Sequence, residues 1–152
     1  MKFRPNVAAI VTRPGGWILI GERGDFAGSW QFPQGGVKPG ERHEAALVRE
    51  LIEEIGLPPE KYRVIEDRGP YRYRFRSGRK KEGYIGQEQR YYLIELLDLD
   101  FAFNCGGSPP EFRGVRWIRP IEFRLEWLPR MKRPVYREVM RDFFGLDLGP
   151  GE

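Results

Sequence analysis

One stretch, Gly35 to Leu57, restricts the fold of this chain more than any other part of its 152 residues. It opens on Gly35-Gly36, passes through Pro39-Gly40, and then runs from Glu41 to Ile55 without a glycine or proline. At helical periodicity, Leu47, Val48, Leu51, Ile52 and Ile55 fall within an arc of about 140°. Glu50, Glu53 and Glu54 fall within about 100° on the opposite side. The spacing predicts a helix from about Arg42 to Ile55. Gly56 ends it as a C-cap, and Pro58-Pro59 prevents its resumption.

Around this helix the pattern is mostly that of strands. Val7 to Val11 is an apolar run, Pro14-Gly15-Gly16 a turn, and Trp17 to Ile20 a second strand closing a hairpin. Residues 24–40 hold seven glycines or prolines and read as loop. Arg63 to Arg68, Tyr71 to Arg76, Gln89 to Leu97 and Gly114 to Arg119 read as further strands. Arg79-Lys80-Lys81, between Gly78 and Gly83, reads as a basic turn, and Gly106 to Pro110 as a loop. Val135, Val139, Met140 and Phe143 predict a second helix over Pro134 to Phe144. Strands interrupted by one central and one C-terminal helix predict an α/β fold with a mixed sheet between helices. The length suits one domain, residues 1–148, with 149–152 as a short flexible tail.

Composition removes several chemistries. Cys105 is the only cysteine and His43 the only histidine, so an internal disulfide, a multi-cysteine zinc site and two-imidazole catalysis are excluded. Both read as incidental, His43 as an exposed residue of the first helical turn and Cys105 as a loop thiol. The longest purely apolar run, Val7 to Val11, is far too short to span a bilayer, and Met1 to Asn6 has no export-signal pattern. The expectation is a cytoplasmic protein without a membrane partner. The net charge of +4 favours anionic partners.

The acidic side of the helix is locally unfavourable. Each like-charge pair at i,i+3 or i,i+4 costs about 0.2–0.5 kcal/mol. Glu53 and Glu54 also lie in the last turn, where the helix dipole disfavours negative charge. A solvated acidic face would tolerate this. A bound cation would reverse the sign of the repulsion. An oxygen-only donor set points to a hard ion, Mg²⁺ or Mn²⁺. Arg49 can pair with Glu53 at i+4 and orient it.

The full spelling settles between these readings. Gly35, Glu41, Arg49, Glu50, Leu51, Glu53, Glu54, Gly56 and Leu57 match, without departure, the signature of the Nudix hydrolase family. The resemblance implies a Nudix-type α/β/α sandwich and hydrolysis of a nucleoside diphosphate linked to another group. It implies that Glu50, Glu53 and Glu54 hold metal. It also implies that Gly35, Gly36 and Glu41 support the site with Arg49, and that carbonyls near Gln34 to Gly36 complete the coordination. Arg4-Pro5-Asn6-Val7, Trp30 to Gly36, Ile85-Gly86-Gln87, Gln89, Pro110-Glu111-Phe112, Trp117, Lys132-Arg133 and Val135-Tyr136 extend the likeness over residues 4–144. Together they resemble the bacterial RNA pyrophosphohydrolase and diadenosine polyphosphate hydrolase branch of that family.

That branch implies a catalytic group of Arg49, Glu50, Glu53, Glu54 and Glu111, with Glu53, Glu54 and Glu111 all open as the general base. It implies substrate contacts by Arg4, Gln87, Gln89, Lys132 and Tyr136. The expected reaction removes pyrophosphate from the 5′-triphosphate end of RNA; the alternatives are hydrolysis of a dinucleoside polyphosphate and a non-catalytic nucleotide- or RNA-binding module. The intact carboxylates weigh against the last. Two spellings depart from the branch. Met131 stands where an aromatic commonly precedes the lysine and stacks on a base, and Gly24 to Gly28 is not arginine-rich, leaving Arg23 as the candidate substitute. Trp30 and Phe32 read as packing residues. Residues 61–90 hold ten basic and four acidic residues. Alternation places Tyr71, Tyr73 and Phe75 opposite Arg72, Arg74 and Arg76, which suits a half-buried strand, a track for the RNA chain, or both.

Overall fold

The computed structural model describes residues 2–76 and 80–150. The start of the expected basic turn (Gly78, Arg79) and the end of the expected tail (151–152) lie outside them. Seven strands form one mixed sheet: β1 (Phe3–Arg13), β2 (Trp17–Arg23), β3 (Trp30–Gln31), β4 (Gln34–Gly36), β5 (Tyr62–Arg74), β6 (Gly86–Leu96) and β7 (Phe112–Ile118). The main path runs β3-β2-β1-β6-β5, with β4 added to β1 and β7 to β2. β1 lies parallel to β6, from Phe3 opposite Gly86 to Thr12 opposite Glu95. The other pairings are antiparallel.

Alternation along β1 divides the core. Ala8 and Ile10 face one apolar cluster, which Val135, Tyr136, Val139 and Met140 of α2 (Arg133–Phe144) complete. Val7, Ala9 and Val11 face the other, which Ala46, Leu47, Leu51 and Ile55 of α1 (His43–Ile55) complete. A side-chain period of two on a strand buried on both faces requires such a sandwich. The expected α/β/α layering is therefore present. Gly56 closes α1 in the left-handed region at φ 67°, and its N–H bonds the Ile52 carbonyl.

Three details differ from the sequence reading. The segment 24–40 carries two short strands, β3 and β4, whose Gly- and Pro-rich spelling hides any periodicity. The two strands expected over 63–76 form one strand, β5, with register shifts between Val64 and Glu66 and between Arg68 and Tyr71. On α1, the acidic side is not uniformly wet: Glu53 is exposed, but Glu54 is only 4% exposed while Ile52 is 47% exposed. The helix is rotated because its docking surface includes β4 as well as the apolar core. In the expected tail, Gly149 N–H bonds Asp147 Oδ1 at 2.9 Å.

Candidate active site

Arg49 organises the site. Its Nε and Nη2 donate to the two oxygens of Glu41, each at 2.9 Å. Nη1 reaches Glu50 Oε1 at 2.7 Å and Glu53 Oε2 at 3.3 Å, and Nη2 also donates to the Gly36 carbonyl at 2.8 Å. One planar guanidinium thus ties the loop before α1 to two turns of the helix, a geometry that an ammonium could not reproduce. The bidentate contact, reinforced by the Lys38 N–H, holds the Glu41 carboxyl down at about 2.

The glycines leave room for these groups. A Cβ on Gly35 would lie 2.0 Å from the Glu50 carboxyl carbon, and one on Gly36 would lie 2.4 Å from Arg4 Nη2. Glu50 and the Arg4 guanidinium therefore pass directly over the two glycines. Gln34 caps the buried end of the site. Its N–H donates to Glu54 Oε1 at 3.0 Å, while its side-chain oxygen accepts from Asn6 Nδ2 at 3.1 Å. Asn6, 1% exposed, accepts in turn from Gln89 Nε2 at 3.0 Å.

Burial raises the Glu54 carboxyl to about 9, with Glu50 and Glu111 adding like-charge repulsion. Glu50 is also raised, burial again leading and the Arg49 contact opposing it. Glu111 is exposed at the start of β7. Its loop is fastened to the end of β2 by the Gly24 N–H, which donates to the Glu111 carbonyl at 2.8 Å. Among the described residues, no three acidic, histidine or cysteine side chains already converge as a metal cage. The donor chemistry nevertheless fits a hard dication. Glu50 and Glu54 are oxygen donors held against their own repulsion, and a cation between such groups would relieve it.

Beside the carboxylates lies a cleft of about 560 Å³, lined by Gln34, Gln87, Lys132 and Met131 together with Arg23, Tyr73 and Phe75. Arg76, Lys80, Lys81 and Pro129 complete its wall, which among the described residues contains no acidic one. Gln34 therefore belongs both to the carboxylate site and to the cleft. Lys132 Nζ donates to Gln31 Oε1 at 3.3 Å, and burial, then Arg23, lowers its ammonium to about 8. The carboxamide oxygen of Gln87 is buried and has no partner among the described residues.

The structure thus brings together Arg49, Glu50, Glu53 and Glu54 on α1 with Gly35, Gly36, Glu41 and Arg4, and places Gln87 and Lys132 in the adjoining cleft. Gln89 and Tyr136 do not line it. Both are buried and belong to its frame: Gln89 holds Asn6, and the Tyr136 hydroxyl accepts from the Phe32 N–H at 3.1 Å. Their pairing partners lie far away in sequence, so no local spacing could separate a framing role from a substrate contact. Phe32 is fully buried and stacks on Tyr136 at 5.3 Å between ring centres. Trp30 lies under Arg116 at 4.5 Å. Sequence reasoning read residues 61–90 as a half-buried strand, a basic track for RNA, or both, and did not place Tyr73, Phe75, Lys80 or Lys81 in one cleft with Lys132. The alternation of Tyr73 and Phe75 was the available signal.

The NUDIX domain model matches residues 2–143, and the chain belongs to that family. The family is typically dependent on a divalent metal. Among curated relatives, the RNA pyrophosphohydrolase of Teredinibacter turnerae is 39% identical over 145 residues, covering 92% of this chain and 84% of the relative. The RNA pyrophosphohydrolase of Salmonella arizonae is 38% identical over 148 residues, covering 93% and 82%. Among solved structures, the E. coli dihydroneopterin triphosphate pyrophosphohydrolase aligns with a TM-score of 0.69 at 17% identity, over 94% of this chain and 97% of that one. A C. elegans Ap4A hydrolase complex aligns with a TM-score of 0.61 at 18% identity, over 94% and 99%. At these identities the structural likenesses establish the fold. Among the described residues, no helix is long and apolar enough to cross a membrane.

Proposed function

We propose that the protein removes pyrophosphate from the 5′-triphosphate end of RNA by hydrolysing a phosphoanhydride bond. The observation that carries this reading is the junction at Gln34, where buried carboxylates meet a cleft walled by cations and free of acids. A 5′-triphosphate carries about four negative charges near neutral pH, and Lys132 and Arg23 of that cleft, with Arg4 beside Gly36, would answer them with charge-assisted hydrogen bonds. The names of the curated relatives support the same substrate.

Glu50, Glu53 and Glu54 would hold Mg²⁺ or Mn²⁺, with backbone carbonyls near Gln34 to Gly36 as further oxygen donors. The ion would supply charge neutralisation at the phosphates and an acidified water. Arg49 orients Glu50 and Glu53. Glu54 suits a ligand because it is enclosed and one oxygen already accepts the Gln34 N–H. Glu53 and Glu111 are the exposed carboxylates able to take a proton from the attacking water. Lys132, Arg23 and Arg4 would contact the phosphate chain, Arg23 from its pairing with Asp25, and Gln87 would contact the nucleotide from the cleft wall. Gln89 and Tyr136 would act through Asn6 and Phe32. One catalytic domain over residues 1–148 and a cytoplasmic setting complete the proposal.

The test compares triphosphorylated RNA with diadenosine tetraphosphate, each with purified protein and Mg²⁺. The expected products from RNA are pyrophosphate and a 5′-monophosphorylated chain, at a higher kcat/KM than for the dinucleotide. Faster cleavage of diadenosine tetraphosphate to mononucleotides would overturn the substrate assignment.

A further inference from the structure

The positive charge of residues 61–90 is not uniform once paired. On β5 and β6, Arg63 bonds Glu95, Arg68 bonds Glu66, Arg72 bonds Glu88 and Arg90 bonds Asp67. These arginines are neutralised by neighbours on the same or the adjacent strand. Arg76, Lys80 and Lys81 differ: no carboxylate of the described residues pairs with them, and all three are exposed at the rim of the cleft. They sit where β5 gives way to the turn leading into β6. The apolar wall beside them consists of Phe75, Tyr73 and Met131.

We propose that this rim is the path of the RNA chain beyond its 5′ end, with Arg76, Lys80 and Lys81 facing backbone phosphates of successive nucleotides. The inference rests on the function proposed above and deepens it. It replaces the broad arginine track of β5 with a short segment of unneutralised charge. A surface cation already paired to a carboxylate must give up that partner before it gains a phosphate. An unpaired one releases counterions from the nucleic acid at no such cost. The apolar wall suits a nucleotide whose base leaves the solvent as the chain turns out of the cleft, because ring faces accept any base. The partner is a single strand, in which a base is free to leave its neighbours and lie against that wall.

The test uses the full chain with Mg²⁺ and two triphosphorylated substrates, a dinucleotide and an unstructured oligonucleotide of about ten residues. The readouts are the ratio of their kcat/KM values and its dependence on salt. For Lys80→Ala/Lys81→Ala, the long-to-short ratio should fall about two- to fivefold per lysine, the scale of an exposed ion pair. The slope of log kcat/KM against log salt for the long substrate should become shallower by about 0.7 per lost contact. Lys80→Arg/Lys81→Arg should retain both. An unchanged ratio and slope in the alanine variant, or equal losses on both substrates, would overturn the proposal. Wild-type protein that failed to cleave either triphosphorylated substrate would instead overturn the function on which it rests.

Discussion

Gly35 occupies a position where the absence of a side chain is a chemical requirement. The space its Cβ would fill is held by the Glu50 carboxylate, whose two oxygens would each lie 2.3 Å from it. Gly35→Ala must displace Glu50 or move β4, and either change separates the carboxylate from Arg49. The expected outcome is a folded protein, with near-wild-type far-ultraviolet circular dichroism, whose kcat falls at least about a hundredfold. That scale follows from misplacing a group at the reacting centre by about an ångström. A variant retaining more than a tenth of wild-type kcat would show that Glu50 need not stay there. The identities of the acidic residues were readable from the chain because their spacing lies within one helix. The burial of Glu54 was not, since it depends on Gln34 reaching across from another element.

At the level of elements, β1 carries a polar residue into the sheet. Asn6 lies between Gln34 of β4 and Gln89 of β6, and its carboxamide satisfies one group from each. Asn6→Ala leaves the buried Gln89 amide without its partner, at a cost of about 1–3 kcal/mol, and opens the half-buried Gln34 carboxamide to the cleft. Denaturant unfolding should therefore show a midpoint shift worth at least about 1 kcal/mol with an unchanged m-value. A loss below about 0.5 kcal/mol would mean that the three amides are solvated or re-paired. The central strands were legible because Val7 to Val11 is continuously apolar, and β5 because Tyr71 and Tyr73 alternate with arginines. β3 and β4 were not. Gly35 and Gly36 of β4, with Pro33 between the two strands, resemble a loop, and only hydrogen bonding to β1 and β2 makes them strands. The rotation of α1 had the same origin: an apolar arc specifies what can be buried, but not which neighbouring strand also claims the acidic side.

For the molecule as a whole, Glu41 and Glu54 act oppositely on stability. Glu41, held at about 2 by Arg49, stabilises the fold at neutral pH, and that contribution is lost as pH falls from 4.5 towards 2. Glu54 is raised from 4.5 to about 9, so the folded state binds its proton more tightly than the unfolded state does. Its favourable contribution is complete below about 4.5 and is lost as pH rises through about 9. Metal-free protein should show a Tm that declines across this window, and Glu54→Gln should flatten the decline. Mg²⁺ at a hundred times its Kd should stabilise the wild type by about 2.7 kcal/mol. An equal pH slope in wild type and Glu54→Gln would refute the assignment to this carboxyl.

Two of the groups that frame the chemistry, Asn6 and the Gly36 carbonyl, belong to β1 or to the short strand paired with it, and β1 is also bordered by β2 and β6. Motion in the edge strand β5 reaches this seam only through β6, whereas the loop after β6 abuts α1 directly, the Asn104 N–H donating to the Ile55 carbonyl at 3.0 Å. Substitutions that loosen the edge strand can therefore accumulate with little blurring of the reactive geometry, leaving specificity free to drift at the margins while hydrolysis stays anchored at the middle.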